Sequence, residues 1–102
     1  AAVDGSHVAT LVQIPIPQGV GNDLVRDGFA GAEETYRMTP GLLRKHFVIG
    51  EEGTFGGVYL WDSITSAQSW FNDAWRQRVS ETYGHPPKVE WFDVPIVLPA
   101  KK

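Results

Sequence analysis

Hydrophobic and polar positions follow two rhythms along this chain. From His7 to Ile14 (HVATLVQI) apolar and β-branched side chains recur at period two until Pro15, Pro17 and Gly19 stop the run, which predicts a first strand. Leu24, Val25, Phe29, Ala32 and Tyr36 then recur at helical spacing, with Asp27, Glu33, Glu34 and Arg37 on the other side. This is an amphipathic helix that Asn22 or Asp23 can cap, that Gly28 and Gly31 weaken, and that ends before Pro40-Gly41. Leu42 to Ile49 and Thr54 to Trp61 are strand-like runs joined by GEEG, a short polar connection that predicts an antiparallel hairpin. Ile64, Ala67, Trp70, Phe71, Ala74, Trp75 and Val79 form a second helical stripe, opened by a cap at Asp62 or Ser63 and closed by Gly84 before Pro86-Pro87. Asn72-Asp73 in its middle can recap the chain and split the helix in two. Val89 to Val97 (VEWFDVPIV) is the last strand-like run, with Pro95 placing its end at an edge or beyond the sheet.

The order strand, helix, strand, strand, helix, strand has no repeat and no linker, so residues 1–102 read as a single α+β domain of ferredoxin-like β-α-β-β-α-β topology with a four-stranded antiparallel sheet. In that arrangement the helices cover one sheet face, and a monomer keeps the other face polar. Here both faces are apolar: Phe55, Tyr59 and Trp61 alternate with Val58 and Leu60, Leu43, Phe47 and Ile49 with Leu42 and Val48, and Val89, Trp91 and Val97 with Phe92, Val94 and Ile96. The economical cover for the second face is another copy of the chain, giving a homodimer packed sheet to sheet.

Composition narrows the partners. Nine basic residues are scattered in a chain of net charge -3, with only Arg44-Lys45 and Lys101-Lys102 adjacent, so neither nucleic acid nor an anionic membrane surface is an expected partner. The absence of cysteine removes disulfides, thiolate catalysis and cysteine-based zinc sites. No apolar run approaches the ~20 residues of a membrane span. The chain opens on AAVDGS rather than methionine, which leaves a processed leader open; the expected location is the cytoplasm.

Residues 40–70, PGLLRKHFVIGEEGTFGGVYLWDSITSAQSW, resemble the YdhR-type mono-oxygenase family of the antibiotic-biosynthesis monooxygenase superfamily. The resemblance is carried by Pro40-Gly41-Leu42, Lys45, Gly56-Gly57-Val58-Tyr59-Leu60, Ser66-Ala67 and, further on, Phe92-Asp93-Val94; the first helix and the His85-Pro86-Pro87 turn carry no diagnostic motif. It implies a dimeric α/β barrel with a ligand cavity between sheet and helices in each subunit. Members of the superfamily oxidise phenols or quinols related to polyketides with molecular oxygen and no metal or flavin; others cyclise, isomerise or dehydrohalogenate small molecules, or degrade haem. The expectation is therefore a cofactor-independent oxygenase for a small phenolic, quinol or polyketide-like aromatic, needing no cofactor. An isomerase, cyclase or lyase using the same pocket, or a non-catalytic small-molecule binder, are the alternatives. Haem-degrading relatives place an axial histidine on the second helix, and here no histidine lies between Ser63 and Gly84.

Lys45 and His46 are neighbours in the second strand and point to opposite faces, so only one can enter a given cavity. Lys45 could stabilise a phenolate or carboxylate, against the plainer reading of a solvated rim lysine; His46 could act as a general base near neutral pH, against that of an interface histidine. Asp93 shares a face with Trp91, which makes it a candidate carboxylate for proton transfer, or a partner for Arg44 or Arg76 across a subunit boundary. Tyr59 and Trp61 share a face and could wall a planar ligand or pack at the two-fold interface, while Trp70, Trp75 and Trp91 are core residues or cavity walls. His7, His46 and His85 have no metal-ligand spacing, GEEG reads as a solvated turn rather than a cation site, and no metal is expected. Gly56-Gly57 lies inside a strand, so it marks a close approach of backbone or ligand rather than a phosphate loop.

Overall fold

The computed structural model describes residues 7–98; the AAVDGS opening and the Lys101-Lys102 pair fall outside the described residues. Strand β1 (His7–Pro15) is followed by helix α1 (Asn22–Arg37), the hairpin of β2 (Leu42–Ile49) and β3 (Thr54–Trp61), helices α2 (Ile64–Trp70) and α3 (Asp73–Tyr83), and β4 (Lys88–Val94). The strands form one sheet in the order β2-β3-β1-β4, and every neighbouring pair is antiparallel. This is the ferredoxin-like topology, with its second helix in two pieces. The break has a local cause: the Asn72 side chain accepts a hydrogen bond from the Trp75 backbone N–H and starts α3 afresh.

The start of α1 and the register of β2 differ from expectation, while the end of β4 falls where Pro95 places it. Helix α1 starts one residue after Gly21, which occupies the cap position without a side-chain hydrogen bond, so neither Asn22 nor Asp23 caps it. Strand β4 stops at Val94, because Pro95 has no N–H to continue the ladder, and Ile96 and Val97 lie beyond the sheet. In β2 the pairing with β3 slips between Leu42 and Arg44, so that Leu42 faces Trp61 and packs on the core while Leu43 is exposed. That bulge exchanges the two leucines relative to simple alternation.

Register then decides which side chains share a face. Val8, Thr10 and Val12 of β1 stand opposite Trp61, Tyr59 and Gly57 of β3, and with Ile14 they look toward the helices. Ala67 of α2, Phe71 at its C-cap and Trp75 of α3 close over this row, and Trp61 is fully buried with its Nε1 donating to Thr10 Oγ1 at 3.1 Å. Under α1 the packing is different: Val25 is its single buried residue among those described, and Leu24 remains 62% exposed. On the opposite sheet face Val58 and Phe92 are 39% and 49% exposed in the isolated chain, and Val58 lines a depression there with Ala9, Leu60, Val94, Ile96 and Val97.

Candidate functional site

The helical pattern of α1 explains the looser packing beneath it. Its inner face carries large residues at Leu24, Phe29 and Tyr36 but small ones at Gly28 and Ala32, and a Cβ built on Gly28 meets nothing within 4 Å. The hollow left there is a cavity of about 250 Å³. Val12, Ile14, Phe55 and Gly56 line it from the sheet, together with Lys45, Phe47 and Tyr59, and Trp75, Val79 and Tyr83 close it from α3. A cavity of about 150 Å³ accommodates a benzene ring, so this one has room for a guest of one or two rings.

Lys45 is the one charged side chain among the described lining residues. Its position follows from the register, which sets it opposite Tyr59 on the helix-facing side of β2. Nζ lies 3.2 Å from the centroid of the Tyr36 ring, 4.1 Å from that of Phe47 and 4.5 Å from that of Tyr59, so three aromatic faces surround it. Burial pushes Lys45 from its ordinary value down to about 7, because an ammonium there loses its water. The ring faces act the other way, since their negative quadrupoles attract a cation. The outcome is an amine that can gain or lose a proton near neutral pH.

Two hydroxyls complete the polar set around the amine. Tyr59 Oη donates toward Tyr36 Oη over 3.5 Å, well beyond the usual 2.7–2.8 Å for O–H···O, so the contact is weak. Burial raises the pKa of Tyr36, and burial together with the Tyr36 hydroxyl raises that of Tyr59, so both remain neutral donors at neutral pH. Tyr36, Lys45 and Phe47 also line an open groove with Glu33, Arg37 and Arg44, which makes this trio the partition between the inner cavity and the surface.

The residues singled out from sequence separate into groups. Lys45, Tyr59 and Trp75 line the cavity. Trp61 does not: it lies below, stacked on Tyr59 with ring centroids 5.7 Å apart, as part of the core. Trp70 packs on the outer side of Tyr36 at 5.3 Å, and its buried Nε1 has no hydrogen-bond partner among the described residues. Trp91 and Asp93 border a separate shallow pocket near Val8 and Gln68, with Trp91 edge-on to Phe71. His46 is on the opposite sheet face, in the depression beside Val58 and Leu60. Among the described residues no group of three or more His, Asp or Glu could hold a metal ion, and no helix is long and apolar enough to cross a membrane.

Tyr36, Phe29, Phe47, Phe55 and Tyr83 belong to the cavity without having been singled out from sequence. The signal for the first two was present in the apolar stripe of α1, but a stripe that roofs a hollow has the same period as one that fills a core. Phe29 and Phe47 are 4.8 Å apart and Phe55 and Tyr83 5.1 Å apart, contacts that link residues distant in the chain.

No protein-family profile matches the chain, and no curated protein matches it in sequence. Its backbone does match solved structures. A protein of unknown function from Nitrosomonas europaea superposes with a TM-score of 0.74 at 20% identity, covering 95% of this chain and 98% of that one. A Streptomyces coelicolor monooxygenase solved in complex with nanaomycin D gives 0.62 at 23% identity, covering 93% of each chain. A cofactor-independent oxygenase from Streptomyces nogalater gives 0.62 at 10% identity over 92% of this chain and 98% of that one. At such identities what is shared is the fold, the ferredoxin-like α/β architecture found among antibiotic-biosynthesis monooxygenases.

Proposed function

We propose that the chain is a cofactor-independent oxygenase of the YdhR type, acting as a homodimer on a small one- or two-ring phenol or quinol. The observation that carries this reading is the position of a single amine, Lys45, in an otherwise apolar and aromatic cavity of about 250 Å³. A phenol entering the cavity meets an amine that is partly neutral at pH 7. Transfer of the phenolic proton to Nζ gives an ammonium beside a phenolate, and attraction between them is strong where water is excluded. The anion is electron-rich enough to reduce molecular oxygen, and the resulting superoxide gains from the same ammonium. Radical recombination at a ring carbon and loss of water give a carbonyl: the substrate loses two hydrogens and gains one oxygen, the second oxygen atom leaves as water, and all electrons come from the substrate.

Electron-rich dihydroxynaphthalenes are the test substrates, followed by oxygen uptake and by mass spectrometry under labelled oxygen. The reading expects one labelled oxygen per product and at least a hundredfold loss of turnover in Lys45→Met. Absence of oxygen uptake with ligand demonstrably bound would overturn it. Proton abstraction without oxygen, as in an isomerase or lyase, would then assign the base to Lys45, because His46 and Asp93 lie outside the cavity.

A further inference from the structure

We propose that Lys45 is also an amine nucleophile, and that the cavity captures apolar aldehydes or ketones as imines on its Nζ. This rests on the cavity and holds whether or not oxygen is consumed there. Three features of the site point to carbonyl capture. First, the amine faces a hollow large enough for an aryl aldehyde, and among the described residues no carboxylate lines that hollow to hold the amine as an ion pair. A lysine paired with an acid stays protonated and has no lone pair to offer; a desolvated one does.

Second, the reaction needs a proton donor, and the ring of Tyr36 lies directly beneath Nζ, with the Tyr59 hydroxyl turned toward its own. The Nζ lone pair attacks the carbonyl carbon, forming the C–N bond, and the carbonyl oxygen becomes the hydroxyl of a carbinolamine. A tyrosine hydroxyl protonates that group as it departs as water, and the remaining N–H proton restores the tyrosine. Atoms balance with one water released, and no oxidant or reductant takes part.

Third, hydrolysis reverses the reaction, and the walls of Val12, Ile14, Phe29 and Phe55 disfavour water beside the new C=N bond. Once protonated, the iminium sits among the Tyr36, Phe47 and Tyr59 ring faces that already surround the ammonium, so the product cation inherits their attraction. Lys88, on the exposed edge beside Glu90, has none of these features.

The test treats the whole protein at neutral pH under nitrogen with 2-naphthaldehyde, traps the imine with borohydride, and maps the adduct by mass spectrometry. The expected result is one adduct per chain on Lys45, formed roughly tenfold or more faster than on any other lysine, since an ordinary lysine is about 99.9% protonated there. Lys45→Arg should abolish it while Lys88→Arg leaves it unchanged, with near-ultraviolet circular dichroism confirming that both variants fold. Labelling spread over Lys88, Lys101 and Lys102 without excess at Lys45, or the same yield in Lys45→Arg as in the wild-type chain, would overturn the proposal. Exclusion of oxygen keeps this outcome separate from that of the oxygenase assay.

Discussion

Gly57 makes room for Lys45. The two are on neighbouring strands, and a Cβ on Gly57 would stand 2.7 Å from Lys45 Cε and 2.9 Å from Tyr59 Cε1, closer than packed carbons approach. The lysine stem therefore crosses the bare backbone of β3 to bring Nζ among the rings. Gly57→Ala should push Lys45 out of the aromatic enclosure and strain the Tyr59 ring, with a loss of about 1–3 kcal/mol in stability. Denaturant titration checks the stability, and naphthaldehyde trapping checks the displacement; a variant that labels at the wild-type rate would show that the stem lies elsewhere.

Burial of Lys45 makes stability depend on pH in a direction that can be worked out. Its folded value of about 7 lies below the ordinary 10.5, so between those pH values the unfolded chain binds more protons than the folded one. The Lys45 contribution is present in full above about pH 10.5 and is lost as pH falls toward 7. Tyr36 and Tyr59 act oppositely: their raised values favour the folded state below pH 10 and cost stability as alkali ionises the unfolded chain. Lys45→Met should raise stability at pH 7 and remove the rise between pH 7 and 10, measured as melting temperature against pH.

Gly28 sets the size of the cavity from above. A side chain there enters open space, and glycine within a helix costs about 1 kcal/mol relative to alanine. Gly28→Leu should therefore stabilise the fold while filling the hollow, and should weaken binding of a two-ring ligand by tenfold or more in a fluorescence titration. Gly28→Ala should recover most of the stability gain with a smaller effect on binding.

Trp61 and Thr10 form a buried polar pair within the core, joined by the 3.1 Å indole to hydroxyl hydrogen bond. Trp61→Phe leaves space where the indole was and deprives the Thr10 oxygen of its donor, at about 2–4 kcal/mol. Adding Thr10→Val removes the stranded hydroxyl, so the double variant should cost less than the two single costs added together. Simple additivity in chemical denaturation would mean that the bond contributes nothing.

The apolar sheet face supplies a prediction about assembly. If a second copy covers Val58 and Phe92, light scattering should give twice the 11.3 kDa chain mass. Val58→Asp should then dissociate the pair at micromolar concentration, because each copy would bury an uncompensated carboxylate. A wild-type chain that is monomeric at that concentration would refute the homodimer.

The secondary-structure elements are legible in the order of residues alone. Period-two runs mark the strands, GEEG marks the turn of the hairpin, Gly84 the stop of the second helix, and Asn72 its division in two. These signals are local, since side-chain direction and capping depend on residues within one turn or one hairpin. Strand alternation also places Lys45 and His46 on opposite faces, and of the two it is Lys45 that looks inward. The bulge that turns Leu42 inward leaves no such local mark, because a bulge is a property of two strands paired. Packing in three dimensions is what makes α1 roof a hollow and brings Tyr36, Phe47 and Tyr59 together on one amine while Trp61, Trp91 and Asp93 stay outside. An empty volume has no periodicity: it exists where large side chains from separate elements hold backbones apart and small ones leave the gap unfilled.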